Sequence, residues 1–461
     1  MWLPGRHRPT RGSFFFFTEG MLIFTSFFLA WAALDPFSQH LVREYKSIVP
    51  RALLATAIYQ LCIYYHDLYG NVLMQFGRAW LIKILQAVGF ASLILFVIFS
   101  FYPSLRPEHR VFWIGLMILP LLLVTWRHCY SKCYNLLFRK KVLIVGTDGL
   151  AKSVGSELVY KPGLGYDVVG FLDQDPTKIG IRVVNPGVIG TYNDLTKVVD
   201  TYGINQVIIA TSDLQPLPLE SLMSSKFQGV GIEDSVSFYE RVSGKIAVDQ
   251  LKPDWLIFGQ GFQISRFTLA LKRLMDLVLA FLGILIASPA FLVLSILIKL
   301  TSPGPVFYRQ ERVGRRGRVF TLLKFRSMKV DAEKMTGPVW AQENDPRVTP
   351  IGYFMRKFRL DELPQMINVV KGEMAFVGPR PERPEFVEEL RKQVPYYNLR
   401  LIVDPGITGW AQVRYHYGGT FEGVFEKLQY DLYYIKNMSL VLDFIILLDT
   451  VKVVLFRKGS R

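Results

Sequence analysis

Hydrophobic positions in this chain fall into two patterns: long unbroken runs, and short runs that alternate with polar stretches. Four unbroken runs come first, at residues 13–34, 52–65, 84–102 and 111–126. Glu19 is the only charge in the first run, the second and third carry none, and Arg110 and Arg127 bound the fourth. A hydrocarbon core takes about 20 residues of helix, so the first and third suffice alone. The second and fourth need flanking residues or a tilt within a bundle. We expect a four-span bundle over residues 1–132. The basic leader (Arg6, Arg8, Arg11) precedes a long apolar run with no small-x-small cleavage site, which reads as an uncleaved anchor.

At Lys141 the pattern shortens and begins to alternate. KVLIVGTDGLAKSVGSEL reads as strand, glycine turn and helix, and residues 166–173 read as a second strand. A helix over 192–202 leads to a third strand within 204–213. Strands alternating with helices predict a Rossmann-like parallel α/β module over 138–220. Asp148, however, stands where a dinucleotide fingerprint needs its second glycine, and its charge would repel phosphate. Residues 221–264 read as a linker.

A fifth apolar run, 277–298, has 22 residues without a charge, and both its flanks are basic. Arg266, Lys272 and Arg273 precede it, and Lys299 and eight Lys/Arg between 309 and 329 follow it. Basic flanks favour the cytoplasmic face, so both ends want the same side. Ser288-Pro289 sits mid-run. The proline removes one donor and crowds the carbonyl of Leu285, while the serine hydroxyl can satisfy part of the freed backbone. The pattern predicts a re-entrant helix–break–helix over 274–299 rather than a span.

Composition agrees with a membrane protein that meets polyanions. The 461 residues are 51% hydrophobic, and 54 Lys+Arg against 38 Asp+Glu leave a net charge of +16. Disorder and a single small domain are excluded. Nucleic acid does not fit a basic run set among membrane segments, and no nucleic-acid fold signature is present. Cys62, Cys129 and Cys133 cannot make a disulfide framework and suit a reducing cytosol. Cations after the fourth run (Arg127, Lys132, Arg139, Lys140, Lys141) place that end in the cytoplasm.

The candidate chemistry lies between Pro303 and Arg380. Asp361-Glu362 looks like a helix start, with Asp361 a plausible N-cap, Pro364 tolerated in the first turn and Gly372 able to terminate. A capping role alone would account for the pair. Yet Arg356, Arg359 and Arg380 lie close in sequence, and guanidinium groups fork onto phosphate oxygens. Adjacent carboxylates can also hold Mg²⁺ against a diphosphate. Carboxylate, magnesium and arginine together make a phosphoryl-transfer constellation. The six histidines are scattered, and no Cys pair or Ser-His-Asp set competes.

KFRSM, NDPRVTPIG, LDELPQMINVVKGEM, VGPRP and DPGITGWAQV follow the hairpin in that order. Together they resemble the bacterial sugar transferase family of membrane polyprenyl-phosphate phosphoglycosyltransferases, in its long form from exopolysaccharide and O-antigen pathways. The resemblance implies a monotopic catalytic domain over 265–461 in the bacterial inner membrane, facing the cytoplasm. It implies transfer of a sugar 1-phosphate from a UDP-sugar to undecaprenyl phosphate, with release of UMP. It also implies that Asp361 is the nucleophile and that Glu362 holds Mg²⁺ and helps deprotonate the lipid phosphate. Lys324, Arg326, Arg356, Pro379, Arg380 and Pro381 match substrate-binding positions, and Lys272, Arg273, Asp276, Ser288 and Pro289 match the membrane hairpin. Ala375 departs from the family's usual serine. The last 25 residues of ordered pattern, 431–455, resemble an amphipathic tail on the membrane, and a homodimer through the α/β module is implied. Two other readings stay open: a nucleotide-sugar-modifying epimerase or dehydratase on the α/β module, and a non-catalytic membrane assembly protein.

Overall fold

A computed structural model describes residues 11–34, 41–69, 78–105, 109–137, 139–211, 217–251, 261–262, 265–330, 332, 345–415 and 421–455. Arg6 and Arg8 of the basic leader lie outside the described residues. The chain divides into two compact units, Met1–Ser235 and Val236–Arg461.

In the first unit the four apolar runs form four helices: α1 (Arg11–Leu34), α2 (Leu41–Tyr65), α3 (Arg78–Phe101) and α4 (His109–Leu137). Each packs on the next, and α4 returns to α1. Ile23, Tyr59, Ile63, Ile84, Ala87, Leu95 and Leu119 fill the interior. The outward positions are apolar as well, with Phe17, Met21, Leu29, Phe96, Met117 and Leu121 exposed. A helix apolar on every face belongs in lipid: among the described residues α2, α3 and α4 are long and apolar enough to cross a membrane, and α1 carries a shorter apolar stretch, Phe15–Ala30.

The charge that stood alone in the first run has a buried partner. Arg127 of α4 forks onto both Glu19 carboxylate oxygens and donates to the Leu68 carbonyl at 2.8 Å. Both side chains are almost wholly buried, at 0% exposure for Glu19 and 2% for Arg127. The rings of Phe15, Tyr69 and Trp80 surround the guanidinium. The pair thus ties α1 and α4 to the turn after α2.

The α/β part supplies β1 (Lys140–Val145), α5 (Gly149–Tyr160), β2 (Tyr166–Asp173), β3 (Val188–Thr191), α6 (Leu195–Tyr202), β4 (Gln206–Ile209), α7 (Leu219–Phe227) and β5 (Gly231–Asp234). The strands form one five-stranded parallel sheet in the order β3-β2-β1-β4-β5. Sequence periodicity missed β3 and β5, which carry only two apolar residues (Val188, Ile189) and one (Ile232). Part of the segment read as a linker, 221–264, is therefore sheet and helix: α7 and β5 complete the fold. Gly146 has φ +113°, and a Cβ there would meet the Ala210 carbonyl at 2.7 Å, so β1 leaves the sheet pressed against β4. At that edge the Asp173 carboxylate is taken up by Thr147 and by Lys178 at 2.9 Å.

The second unit opens with α8 (Ser235–Ser243) and a stretch to Leu251 that packs on a later helix. There follow α9 (Arg266–Thr301), the antiparallel hairpin β6 (Phe307–Val313) and β7 (Val319–Phe325), α10 (Pro350–Lys357), α11 (Gln365–Lys371) and β8 (Ala375–Val377). The unit ends with α12 (Pro384–Gln393), β9 (Gly406–Thr408), α13 (Trp410–Arg414), α14 (Phe421–Lys436) and α15 (Leu440–Leu455). Strands β8 and β9 pair in parallel.

The expected break in the membrane hairpin is absent from the secondary structure: α9 runs as one 36-residue helix with Pro289 inside it. The Ser288 hydroxyl donates to the Leu285 carbonyl at 2.8 Å, the acceptor that proline leaves without its usual partner. Leu285, Ile286, Leu292 and Leu300 are exposed along the helix, yet both of its halves pack on the same body. Ala280 joins Leu322, Val369 and Met374, and Leu294 and Ile298 join Phe325 and Met355. The tail, too, is more built in than its pattern suggests. It forms the end of α14 and then α15, and Leu442, Asp443, Ile445 and Ile446 are buried.

Breaking a buried ion pair by removing one partner costs about 3–5 kcal/mol, because the other charge is left stranded. Glu19→Gln is therefore expected to lower the unfolding free energy in detergent by about 3 kcal/mol. A thermal melt followed by tryptophan fluorescence reads this out, and an unchanged midpoint would rule out a structural role for the pair.

Candidate active site

The segment LDEL lies between α10 and α11, and its apolar and acidic residues part company. Leu360 and Leu363 pack into the cluster built on Leu294 and Ile298 of α9, with Phe325 and Met355. Asp361 and Glu362 stay between them on a 3-10 turn, 7% and 9% exposed. Arg359 enters that turn in the left-handed region, φ +54°. A side chain held there costs of order 1–3 kcal/mol and persists only where its surroundings fix it. The turn also corrects an expectation: Asp361 caps no helix. Pro364 occupies the cap of α11, and no side-chain bond is made there. Gly372 ends α11 in the left-handed conformation, φ +84°, as the sequence implies.

Neighbouring motifs hold this turn in place. Thr349 caps α10 by accepting from Gly352 N at 3.0 Å. A Cβ on Gly352 would lie 1.9 Å from the Ser327 carbonyl, so only glycine lets α10 approach the KFRSM segment this closely. Arg356 donates to the Ser327 hydroxyl at 2.9 Å. Asn368, fully buried, takes Leu323 N at 3.0 Å and donates to the Thr321 carbonyl at 2.8 Å. It therefore fixes α11 against β7 in the register that sets Lys324 beside Glu362. Sequence reading passed over Asn368; its only signal was one amide in an otherwise apolar MINVV stretch.

Glu362 is held by cations on two sides. Arg380 forks onto its two carboxylate oxygens, and the Lys324 ammonium stands 3.4 Å from Oε1. Burial pushes the Glu362 carboxyl up, but Arg380, Lys324 and Arg359 outweigh it and hold the group far below the ordinary range. Asp361 goes the other way. Burial and the adjacent Glu362 charge raise its carboxyl above its usual value, against the pull of Lys324, Arg356 and Arg380. Among the described residues no hydrogen bond or ion pair reaches the Asp361 carboxylate. Of two neighbouring acids, one is locked as a charge-balanced anchor and the other is open. Such a divergence is how acid–base and nucleophilic roles are divided at reactive sites.

The remaining sequence candidates sort by position. Pro379 and Pro381 flank Arg380 and shape its backbone. Arg326 stands apart: its guanidinium is taken by the carbonyls of Ser302 and Pro303, both at 2.7 Å, just past the end of α9. Lys272, Arg273 and Asp276 fasten α9 to the site's floor. Lys272 donates to the Val377 carbonyl and to Asp443, Arg273 to the Val369 and Val370 carbonyls, and Asp276 accepts from Phe376 N. Ala375, where serine was expected, is buried and bonded through its backbone to Pro405.

The donor set suits a substrate-borne magnesium ion better than a resident metal. Among the described residues there is no group of three His, Cys, Asp or Glu side chains that could hold one. Mg²⁺ keeps several waters and needs one or two carboxylates plus substrate phosphates. Asp361 can take an ion without breaking a contact, whereas Glu362 would first have to loosen Arg380 or Lys324.

Comparison with known proteins places this site in context. Residues 267–457 match the profile of the family described as Bacterial sugar transferase. The chain is 33% identical over 373 residues to the UDP-galactose-lipid carrier transferase of Erwinia amylovora, covering 76% of each. It is 43% identical over 222 residues to the UDP-N-acetylgalactosamine-undecaprenyl-phosphate N-acetylgalactosaminephosphotransferase of Aeromonas hydrophila, 48% of this chain and 52% of that one. It is 45% identical over 184 residues to the UDP-glucose:undecaprenyl-phosphate glucose-1-phosphate transferase of Escherichia coli (strain K12), 39% of each. The chain thus spans about half, or less, of these last two relatives.

Glu362 is the internal counter-ion of Arg380 and Lys324, so removing its charge should release both cations for an external anion. Glu362→Gln is expected to bind inorganic phosphate at least about fivefold more tightly than the parent, roughly 1 kcal/mol. Calorimetric titration checks this, and equal affinity would mean that the two cations do not face a ligand space.

Proposed function

Because the chain belongs to the bacterial sugar transferase family, we propose that it transfers a sugar 1-phosphate from a UDP-sugar to undecaprenyl phosphate through a phosphorylated aspartate. The observation that carries this reading is the open Asp361 carboxylate beside a cation-locked Glu362. An Asp361 oxygen attacks the β-phosphorus of the donor, the bridging P–O bond breaks, and UMP leaves. A phosphate oxygen of the lipid then attacks the same phosphorus. The acyl-phosphate bond breaks, the polyprenyl diphosphosugar departs, and the carboxylate is restored. Two displacements let one pocket accept two highly charged phosphates in turn instead of together.

Arg380, Lys324, Arg356 and Arg359 neutralise the phosphoryl oxygens, as clamped cations do in phosphoryl transfer. Glu362 orients Arg380; with its carboxyl held far below the ordinary range by Arg380 and Lys324 it is a weak base, so the deprotonating role that the resemblance implies for it is not carried into this scheme. Asp361 and Glu362 are the carboxylates that would hold a magnesium ion, which would supply charge neutralisation at the diphosphate.

The geometry of α9 supports a re-entrant, monotopic attachment. A spanning helix would leave its two ends on opposite sides of the bilayer, yet Lys272 near one end and Ile298 near the other both pack on the body that carries Asp361. Basic flanks on both sides of the run favour the cytoplasmic leaflet, as do the exposed Arg139, Lys140 and Lys141 that follow α4. A donor soluble in the cytosol and a lipid phosphate at the leaflet surface then meet where Leu360 and Leu363 rest on the membrane helix. The product would open an exopolysaccharide or O-antigen pathway, and a homodimer is consistent with the family.

Asp361→Asn removes the attacking oxygen's charge while keeping its shape. UMP release from a panel of UDP-N-acetylgalactosamine, UDP-glucose and UDP-galactose with undecaprenyl phosphate should fall by at least about 10³-fold, some 4 kcal/mol of barrier. Near-parent turnover would exclude Asp361 as nucleophile. Separately, excess EDTA should halt UMP release and added Mg²⁺ should restore it; activity that persists under chelation would remove the metal from the scheme.

A further inference from the structure

The backbone that presents Arg380 has no slack. Four consecutive carbonyls each accept a hydrogen bond, and the donors come from three parts of the fold: β9, the turn 397–401 and β6. Gly406 N donates to Pro379 at 2.9 Å, Arg400 to Arg380 at 2.8 Å, Arg312 to Pro381 at 3.0 Å, and Val313 N to Glu382 at 2.9 Å. Pro379 and Pro381 fix their own φ angles and push Arg380, the residue before a proline, into an extended conformation.

Behind this segment lies a buried ionic cluster that the proposed chemistry does not use. Lys427 of α14 pairs with Glu382, and Arg312 of β6 stands 3.6 Å from the same carboxylate. Arg400 lies 2.9 Å from Asp431 of α14 and donates to the Tyr397 hydroxyl at 2.7 Å. Arg400 and Lys427 are each 5% exposed and Asp431 2%. The cluster sets three cations against two carboxylates. Buried ion pairs rarely add stability over apolar residues of equal volume. What apolar side chains cannot do is donate to particular carbonyls in fixed directions.

We propose that Arg312, Arg400 and Lys427 are positioning residues that lock segment 379–382, so that the Arg380 guanidinium is delivered at Glu362 and at the donor's diphosphate. Arg312 and Arg400 hold the carbonyls on either side of the Arg380–Pro381 peptide. Lys427 holds Glu382, whose backbone carbonyl is tied to β6, and so fixes the segment's downstream end. The inference deepens the proposed function and rests on it. Its three residues act through the backbone of 379–382.

The test is the paired replacement Lys427→Met with Glu382→Gln, which removes a cation and its anion together and leaves the net charge of the cluster unchanged, while Arg312 keeps its bond to the Pro381 carbonyl. With whichever of UDP-N-acetylgalactosamine, UDP-glucose and UDP-galactose the parent turns over fastest, kcat should fall about 10- to 100-fold, since misplacing a group by 1 Å costs about that much. The donor KM should stay within about twofold, and the conservative Lys427→Arg should recover most of the kcat. A kcat within about twofold of the parent would overturn the proposal, as would a loss confined to KM. If the pair does not fold, Arg312→Gln puts the same question to the Pro381 carbonyl, with the same two outcomes. Arg380→Gln run alongside separates the two levels. Parent kinetics there would sink the site reading itself, whereas impaired Arg380→Gln with unimpaired Lys427→Met/Glu382→Gln would sink only the positioning inference.

Discussion

Two neighbouring carboxylates cannot both carry charge in a water-poor pocket unless cations hold at least one of them, and that constraint organises the second unit. Arg380 and Lys324 answer to Glu362, so the loop after β8 and the strand β7 must converge on a single turn. Asn368 sets the register of that convergence and Gly352 permits its closeness. Asp361 is left as the member without a partner. Its carboxyl has no hydrogen bond to break before it reacts, and the pull of Lys324, Arg356 and Arg380 works against the burial and the Glu362 charge that raise it.

The membrane helix is part of the same arrangement. Through Lys272 it meets the Val377 carbonyl, three residues before Arg380, and that carbonyl also accepts from Tyr434 at 3.1 Å. Through Leu294 and Ile298 it supports Leu360 and Leu363 on either side of the acidic pair. One long apolar helix therefore underlies both halves of the site.

Much of this was legible from sequence wherever a residue's type limits its possible roles. Unbroken apolar runs announce membrane helices, and Ser288 beside Pro289 announces that the Leu285 carbonyl needs another donor. The acidic pair, its arginines and the glycine at 372 are local signals. What stayed hidden depends on partners far away in the chain. Nothing near Glu19 says that Arg127, 108 residues later, will neutralise it. β3 (VIGT) and β5 (GIED) carry only two apolar residues and one, too few to stand out, whereas the equally short β4 reads VII after Gln206. Arg326 and Arg356 look alike in KFRSM and MRKFR, yet the first closes a loop at the end of α9 and the second stands by Asp361. Only the folded chain separates them.

The stretch between Val236 and Leu251 alters what counts as the catalytic fold. Trp410 donates its indole N–H to the Gly244 carbonyl at 2.8 Å, and Ile246 N reaches Gln429 O at 3.1 Å. Glu240 takes up both Lys436 and Asn437, at 2.6 and 2.9 Å. The family profile begins at 267, some thirty residues after this unit does. A chain trimmed to the shared core would bare the flank of α14, the helix that carries Lys427 and Asp431. Any shorter relative must therefore seal that flank with residues of its own.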